Sequence, residues 1–140
     1  MDELFVDTNV FLRFLTADVQ EQAQDVDRLL ERAEGGEIRL CTSILTIAEI
    51  VWTLDSYYEL PRAEIQEKVI AILNTPGLDV EGADLLAQAM SLYEDQNIDF
   101  IDAYNGTWMM DRGLSDAVTF DTKHFSRISG ITAISPKKVV

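Results

Sequence analysis

The chain predicts an α/β fold built on a central, mainly parallel sheet flanked by helices. Three observations carry that expectation. Four short, β-branched apolar runs, "ELFV", "EIRLC", "DAVTF" and "GITAI", have strand length and strand character. Segments of helical periodicity separate them, and strands alternating with helices favour parallel pairing through crossovers. No repeat, low-complexity tract or linker divides the 140 residues, so a single domain over 1–140 is expected.

"ELFV" is the first strand and ends at Asp7, and "VFLRFL" follows as a short helical stretch. In "DVQEQAQDVDRLLERAEGG", Val19, Ala23, Val26, Leu29 and Leu30 recur at helical spacing, and Gly35-Gly36 supplies a C-terminal stop. "EIRLC" is the second strand, followed by "TSILTIAEIVWTLDSYYEL". The next helix, "PRAEIQEKVIAILNTPG", opens at Pro61 and closes at Pro76-Gly77. "EGADLLAQAMSLYEDQN" and "DFIDAYNGTWMMDRG" are two further helices before the last two strands. Trp52, Trp108, Tyr104, Met109 and Met110 sit at helical spacing among apolar residues and read as core or dimer surface. "AEIQEKVIAIL" is amphipathic and suits either its own sheet or a partner helix.

Composition narrows the function classes. With 47% hydrophobic residues the chain supports a folded core, and its one cysteine, Cys41, excludes an internal disulfide and a cysteine-based zinc site. No apolar run approaches the roughly 20 residues that span a bilayer, and "MDELFV" lacks the basic start of an export signal, so a cytoplasmic protein without membrane contact is expected. The net charge of −14 argues against broad nonspecific affinity for nucleic acid. Its distribution is uneven: residues 1–110 hold 22 acids and 6 bases, whereas residues 111–140 hold 3 acids and 5 bases. A phosphate-bearing ligand is therefore expected near the C-terminal segment, where Arg112, Lys123, Arg127, Lys137 and Lys138 lie.

Four carboxylates interrupt or follow apolar segments: Asp7, Glu49, Asp102 and Asp121. Each has a structural explanation. Asp7, Thr8 or Asn9 can cap "VFLRFL", Asp121 can cap the turn "DTKHF", and Asp102 suits the first turn of a helix capped by Asp99. Glu49 lies in a nearly apolar helix, on a stripe shared with Thr42, Thr46 and Thr53 that reads as a cleft wall or a solvent strip. Asp102 shares a face with Asn105 and Gly106, where the missing side chain permits a close approach. As a set the acids make a stronger case. Unit charges about 4 Å apart repel by roughly 4 kcal/mol at an effective dielectric near 20, so clustered carboxylates need cations or protons. All-oxygen ligation selects Mg²⁺ or Mn²⁺, the ions that handle phosphate esters.

In order, "VDTNV", "TSILTIAEIVWTL", "DFIDA" and "TFDTKHF" resemble the signature of PIN-domain ribonucleases, above all the VapC-type toxins of prokaryotic toxin–antitoxin pairs. The resemblance implies a three-layer PIN-like fold, a homodimer, an RNA substrate, a cognate antitoxin, and an acidic site holding one or two Mg²⁺ or Mn²⁺ ions. It assigns Asp7, Glu49, Asp102 and Asp121 as the catalytic, metal-binding acids, with Thr8, Asn9 and Asp99 in support. It further implies hydrolysis of RNA leaving a 5′-phosphate. One departure from the family pattern is "DTKHF", where a second acid is common; Lys123 and His124 read as phosphate contacts or as exposed loop residues, and His124, the one histidine, reads as loop. The acidic total implies recognition restricted to a folded RNA feature. Two other readings compete: a metal-dependent phosphohydrolase on another substrate, and a non-catalytic acidic binding module. Asn9 two residues after Asp7 counts against a haloacid-dehalogenase-type enzyme, which expects Asp there.

Overall fold

A computed structural model of the chain describes residues 3–140, apart from the side chain of Thr122. The first two residues of the "MDELFV" start lie outside the described residues. The chain is α/β, and it divides into two compact units, one running to Ala83 and one from Asp84 onward. The first contains β1 (Glu3–Phe5), α1 (Thr8–Thr16), α2 (Gln20–Glu34), β2 (Arg39–Thr42), α3 (Ile44–Ser56), α4 (Arg62–Leu73) and β3 (Leu78–Val80). The second contains α5 (Ala83–Asp95), α6 (Phe100–Asp111), β4 (Asp116–Val118), α7 (Thr122–Phe125), β5 (Thr132–Ile134) and a 3₁₀ turn at Pro136–Lys138.

Every strand pairing among the described residues is parallel, as the alternation of strands and helices predicts. In the first unit the order is β1-β2-β3, with Leu4 opposite Leu40 and Leu40 opposite Leu78. Each step crosses over through two helices. In the second unit β4 pairs with β5, Ala117 opposite Ala133, and α7 makes the crossover. Strand β3 is absent from the sequence reading, which takes "NTPG" only as a helix stop. It spans three residues with Asp79 in the middle, and pairing with β2 makes it a strand: Leu40 N–H donates to the Gly77 carbonyl at 2.9 Å, and Glu81 N–H to the Thr42 carbonyl at 3.1 Å.

The expected polar stripe on α3 is corrected in two respects. Thr42 belongs to β2, where its buried hydroxyl donates to the Val6 carbonyl at 2.8 Å and ties the two strand ends together. The helix itself begins after Ser43, whose Oγ accepts from Thr46 N–H at 3.3 Å. Although nearly apolar, α3 is not buried on every side. Thr46, Ile47, Ile50, Val51 and Leu54 face inward, whereas Leu45 is 80% and Trp52 68% exposed. Replacing Thr42 by Val keeps the shape and removes the buried donor, so a loss of about 1–2 kcal/mol is expected from urea unfolding.

Helix α4 buries Ile65, Val69 and Ile72 against α3 and β3, which accounts for its amphipathic pattern within its own unit. Cys41 is half-buried, and desolvation raises its thiol pKa. In the second unit Leu86, Met90, Ile98, Ala103 and Ile128 are buried, and the rings of Tyr93 and Phe100 meet edge to face at 6.4 Å. The approach that Gly106 permits is made by the chain itself: a Cβ there would stand 2.5 Å from Ile128 Cδ1 and 3.4 Å from Ile131 Cδ1. Gly106 therefore serves packing of the C-terminal segment on α6. Trp108 and Met110 are partly exposed on that helix and Met109 is buried.

Candidate metal centre

The second unit assembles a cluster from two short-range features of the sequence. Asp99 stands immediately before α6 and Asp102 in its first turn, where carboxylates suit the positive end of the helix. Asp121 precedes α7, held by two local bonds: its N–H donates to Thr119 Oγ1 at 3.0 Å, and its Oδ1 accepts from Lys123 N–H at 3.2 Å. The second bond bears out the capping reading for Asp121 and engages one of its two oxygens. Asp99 departs from the expected cap, because its carboxylate accepts no backbone N–H of α6; its Oδ2 faces His124 Nε2 at 3.6 Å.

Ligating atoms of Asp99, Asp102 and His124 all lie within 4.8 Å of one another. Adjacent and opposite donors on Mg²⁺ stand about 3.0 and 4.2 Å apart, so the set is only slightly wider than one ion's coordination sphere. The donors fit a divalent cation, and they are not all oxygen: His124, expected in a loop, lies on α7 with its side chain only 18% exposed. Burial raises the pKa of Asp102, the neighbouring charges of Asp121 and Asp99 push it the same way, and His124 opposes them. An acid so placed gains from a dication, which removes the repulsion and replaces lost hydration together.

The remaining predicted site residues lie in the first unit. Asp7 is exposed at the N-cap of α1, where its Oδ1 accepts from Thr8 N–H at 2.8 Å; Thr8 is buried and Asn9 exposed. Glu49 is exposed on α3, with Leu45 and Trp52 on the same face at i−4 and i+3. The structure thus brings Asp99, Asp102 and His124 together, with Asp121 near enough for its charge to act on Asp102. Sequence reasoning set His124 aside as loop and passed over Phe120, which is 90% exposed beside Asp121. The available signal for His124 was its i+3 spacing from Asp121 in "DTKHF".

The model of the PIN domain family matches residues 4–131. A VapC ribonuclease of Aquifex aeolicus (strain VF5) is 26% identical over 131 residues, covering 94% of this chain and 95% of that protein. The crystal structure of Mycobacterium tuberculosis VapC20, described as a sarcin–ricin loop cleaving toxin, is 21% identical and covers 95% of this chain and 99% of that one, at a TM-score of 0.40. The family match takes in every acid discussed above, from Asp7 before α1 to Asp121 before α7, and the parallel α/β architecture agrees with it: the chain belongs to the PIN domain family.

Proposed function

We propose that residues 1–140 act as one nuclease domain, a Mg²⁺- or Mn²⁺-dependent endoribonuclease that serves as the toxin of a type II toxin–antitoxin pair. The observation that carries this reading is the gathering of Asp99, Asp102 and His124 beside Asp121, in a PIN-family chain similar to a protein named as a VapC ribonuclease. Asp7, Glu49, Asp102 and Asp121 are the carboxylates on which cleavage depends, with Glu49 holding metal or orienting the attacking water. Thr8 and Asn9 support them, and Asp99, expected in support, offers a ligating oxygen of its own beside Asp102. A divalent ion supplies a water of lowered pKa and positive charge beside the scissile phosphodiester. Lys123, exposed at the start of α7, offers its ammonium to RNA phosphate, and the exposed ring of Phe120 offers a face to an unstacked base. The same reading includes a homodimer, a cognate antitoxin and a cytoplasmic site of action. No helix among the described residues is long and apolar enough to cross a membrane.

The test is cleavage of structured RNA by the purified chain. Cutting is expected with Mg²⁺ or Mn²⁺, with 5′-phosphate ends, and is expected to stop on chelation. Asp7→Asn is expected to lower the rate by at least about a hundredfold with the fold intact. Cutting that survives chelation or that substitution overturns the reading. The acidic binding module is the competing account favoured by the capping bonds at Asp7 and Asp121. It expects neither cleavage nor a metal-dependent rise in melting temperature. Hydrolysis of small phosphate esters without RNA cleavage points instead to the phosphohydrolase.

A further inference from the structure

We propose that His124 is itself a metal ligand, and that its imidazole nitrogen, added to the oxygens of Asp99 and Asp102, makes this centre favour Mn²⁺ over Mg²⁺. The inference rests on the metal-dependent reading above and concerns which ion the centre selects. Three observations carry it. The 3.6 Å between His124 Nε2 and Asp99 Oδ2 is longer than a hydrogen bond, yet falls within the separation of about 3.0–4.3 Å that two donors adopt on one first-row dication. A ring nitrogen of His124 lies within 4.8 Å of the ligating oxygens of both Asp99 and Asp102. Finally, the ring is mostly buried, and its Nδ1 has no hydrogen-bond partner among the described residues.

A buried histidine with a purely structural role has its nitrogens met by hydrogen bonds. Here Nε2 is the nitrogen that faces the carboxylates, and among the described residues it meets Asp99 only across a separation too long for a hydrogen bond. The ring is mostly buried and held by packing, and its Nε2 lone pair is not taken up by a hydrogen bond, which leaves that nitrogen open to an ion. Mg²⁺ demands near-ideal octahedral oxygen coordination, whereas imidazole suits later first-row ions and its donation adds more to Mn²⁺ affinity. Lys123, adjacent on α7, is exposed and has no nitrogen donor to offer as an ammonium.

The test exploits the fact that His124 is the sole histidine in the chain. Pulsed electron paramagnetic resonance of the Mn²⁺ complex of the untagged wild-type protein is expected to show ¹⁴N coupling from a directly bound imidazole. In His124→Gln, which keeps a side chain able to hydrogen-bond Asp99, that coupling is expected to vanish. Mn²⁺ affinity should then fall about tenfold while Mg²⁺ affinity changes by less than about threefold. A wild-type Mn²⁺ complex without nitrogen coupling overturns the proposal, and needs no variant to fold. Equal loss of both ions in His124→Gln overturns it too. If the wild type cuts RNA with Mn²⁺ and shows no coupling, His124 alone is misassigned; if it binds neither ion, the nuclease reading falls as well.

Discussion

Asp102→Asn is expected to suppress metal-dependent RNA cleavage by at least about a hundredfold while making the metal-free protein more stable at neutral pH. Both effects have one cause. Burial and the nearby charges of Asp121 and Asp99 raise the pKa of the Asp102 carboxyl above its ordinary value of 3.8, and His124 only partly offsets them. In the unfolded chain the group titrates near 3.8, and in the folded chain above it. Between those two values the native state holds more protons than the unfolded state, so stability falls as pH rises through that window. Above it the whole penalty is present. Asn removes the charge that carries the penalty and, with it, a ligand oxygen. Thermal melting in chelator at several pH values checks the first part: the variant should melt higher at pH 7, and the two curves should converge as pH approaches 3.8. A variant that melts lower at pH 7 would show that Asp102 is held for structure.

Gly77→Ala is expected to be the most damaging small substitution in the first unit, costing about 3 kcal/mol or more and lowering the melting temperature by roughly 10 °C. Gly77 has φ +79°, a conformation that Ala adopts only with strain. Its missing Cβ would stand 2.4 Å from the Ala33 carbonyl oxygen and 2.6 Å from the carbonyl carbon. Those are backbone atoms at the end of α2, so no rotamer change relieves the clash. Displacement is transmitted directly to the sheet, because the Gly77 carbonyl accepts from Leu40 N–H at the start of the β2–β3 ladder. Gly36 is the internal control: its φ is also +79°, but nothing lies within 4 Å of the site of its Cβ, so Gly36→Ala should cost only about 1 kcal/mol of backbone strain. Denaturant unfolding of the two variants separates close approach from conformation, and equal losses would contradict the packing account.

Where the sequence was legible, it was because a local pattern and the tertiary environment agreed. Val26 on α2, with Ala23, Leu29 and Leu30 partly covered beside it, and Ile65, Val69 and Ile72 on α4 fall on the inward faces that their spacing predicts, whereas Val19 is exposed before α2 begins. Strand β3 and helix α7 were illegible, although β1, β4 and β5 are as short as β3, because those three lie in longer apolar runs and β3 does not. β3 carries Asp79 between its two apolar residues, and it exists because Leu40 and Thr42 of β2 pair with Leu78 and Val80. The α3 stripe misled because Thr42 is a strand residue whose hydroxyl closes the β1 end, while Leu45 and Trp52 are apolar yet exposed. In the site, the acids at the start of α6 were visible from residue type and spacing. Asp99 was misread because N-cap statistics favour a backbone bond, and the placement of His124 beside it depends on the turn from β4 into α7. No local rule reports that turn.

Function at this centre requires these side chains to capture a hard or borderline dication. Calorimetric titration of Mn²⁺ into the purified wild-type chain and into Asp102→Asn measures that capture without reference to any substrate. Saturable binding by the wild type, weakened at least about tenfold in the variant, is the expected result. Binding of equal strength in both proteins, or none in the wild type, would contradict it.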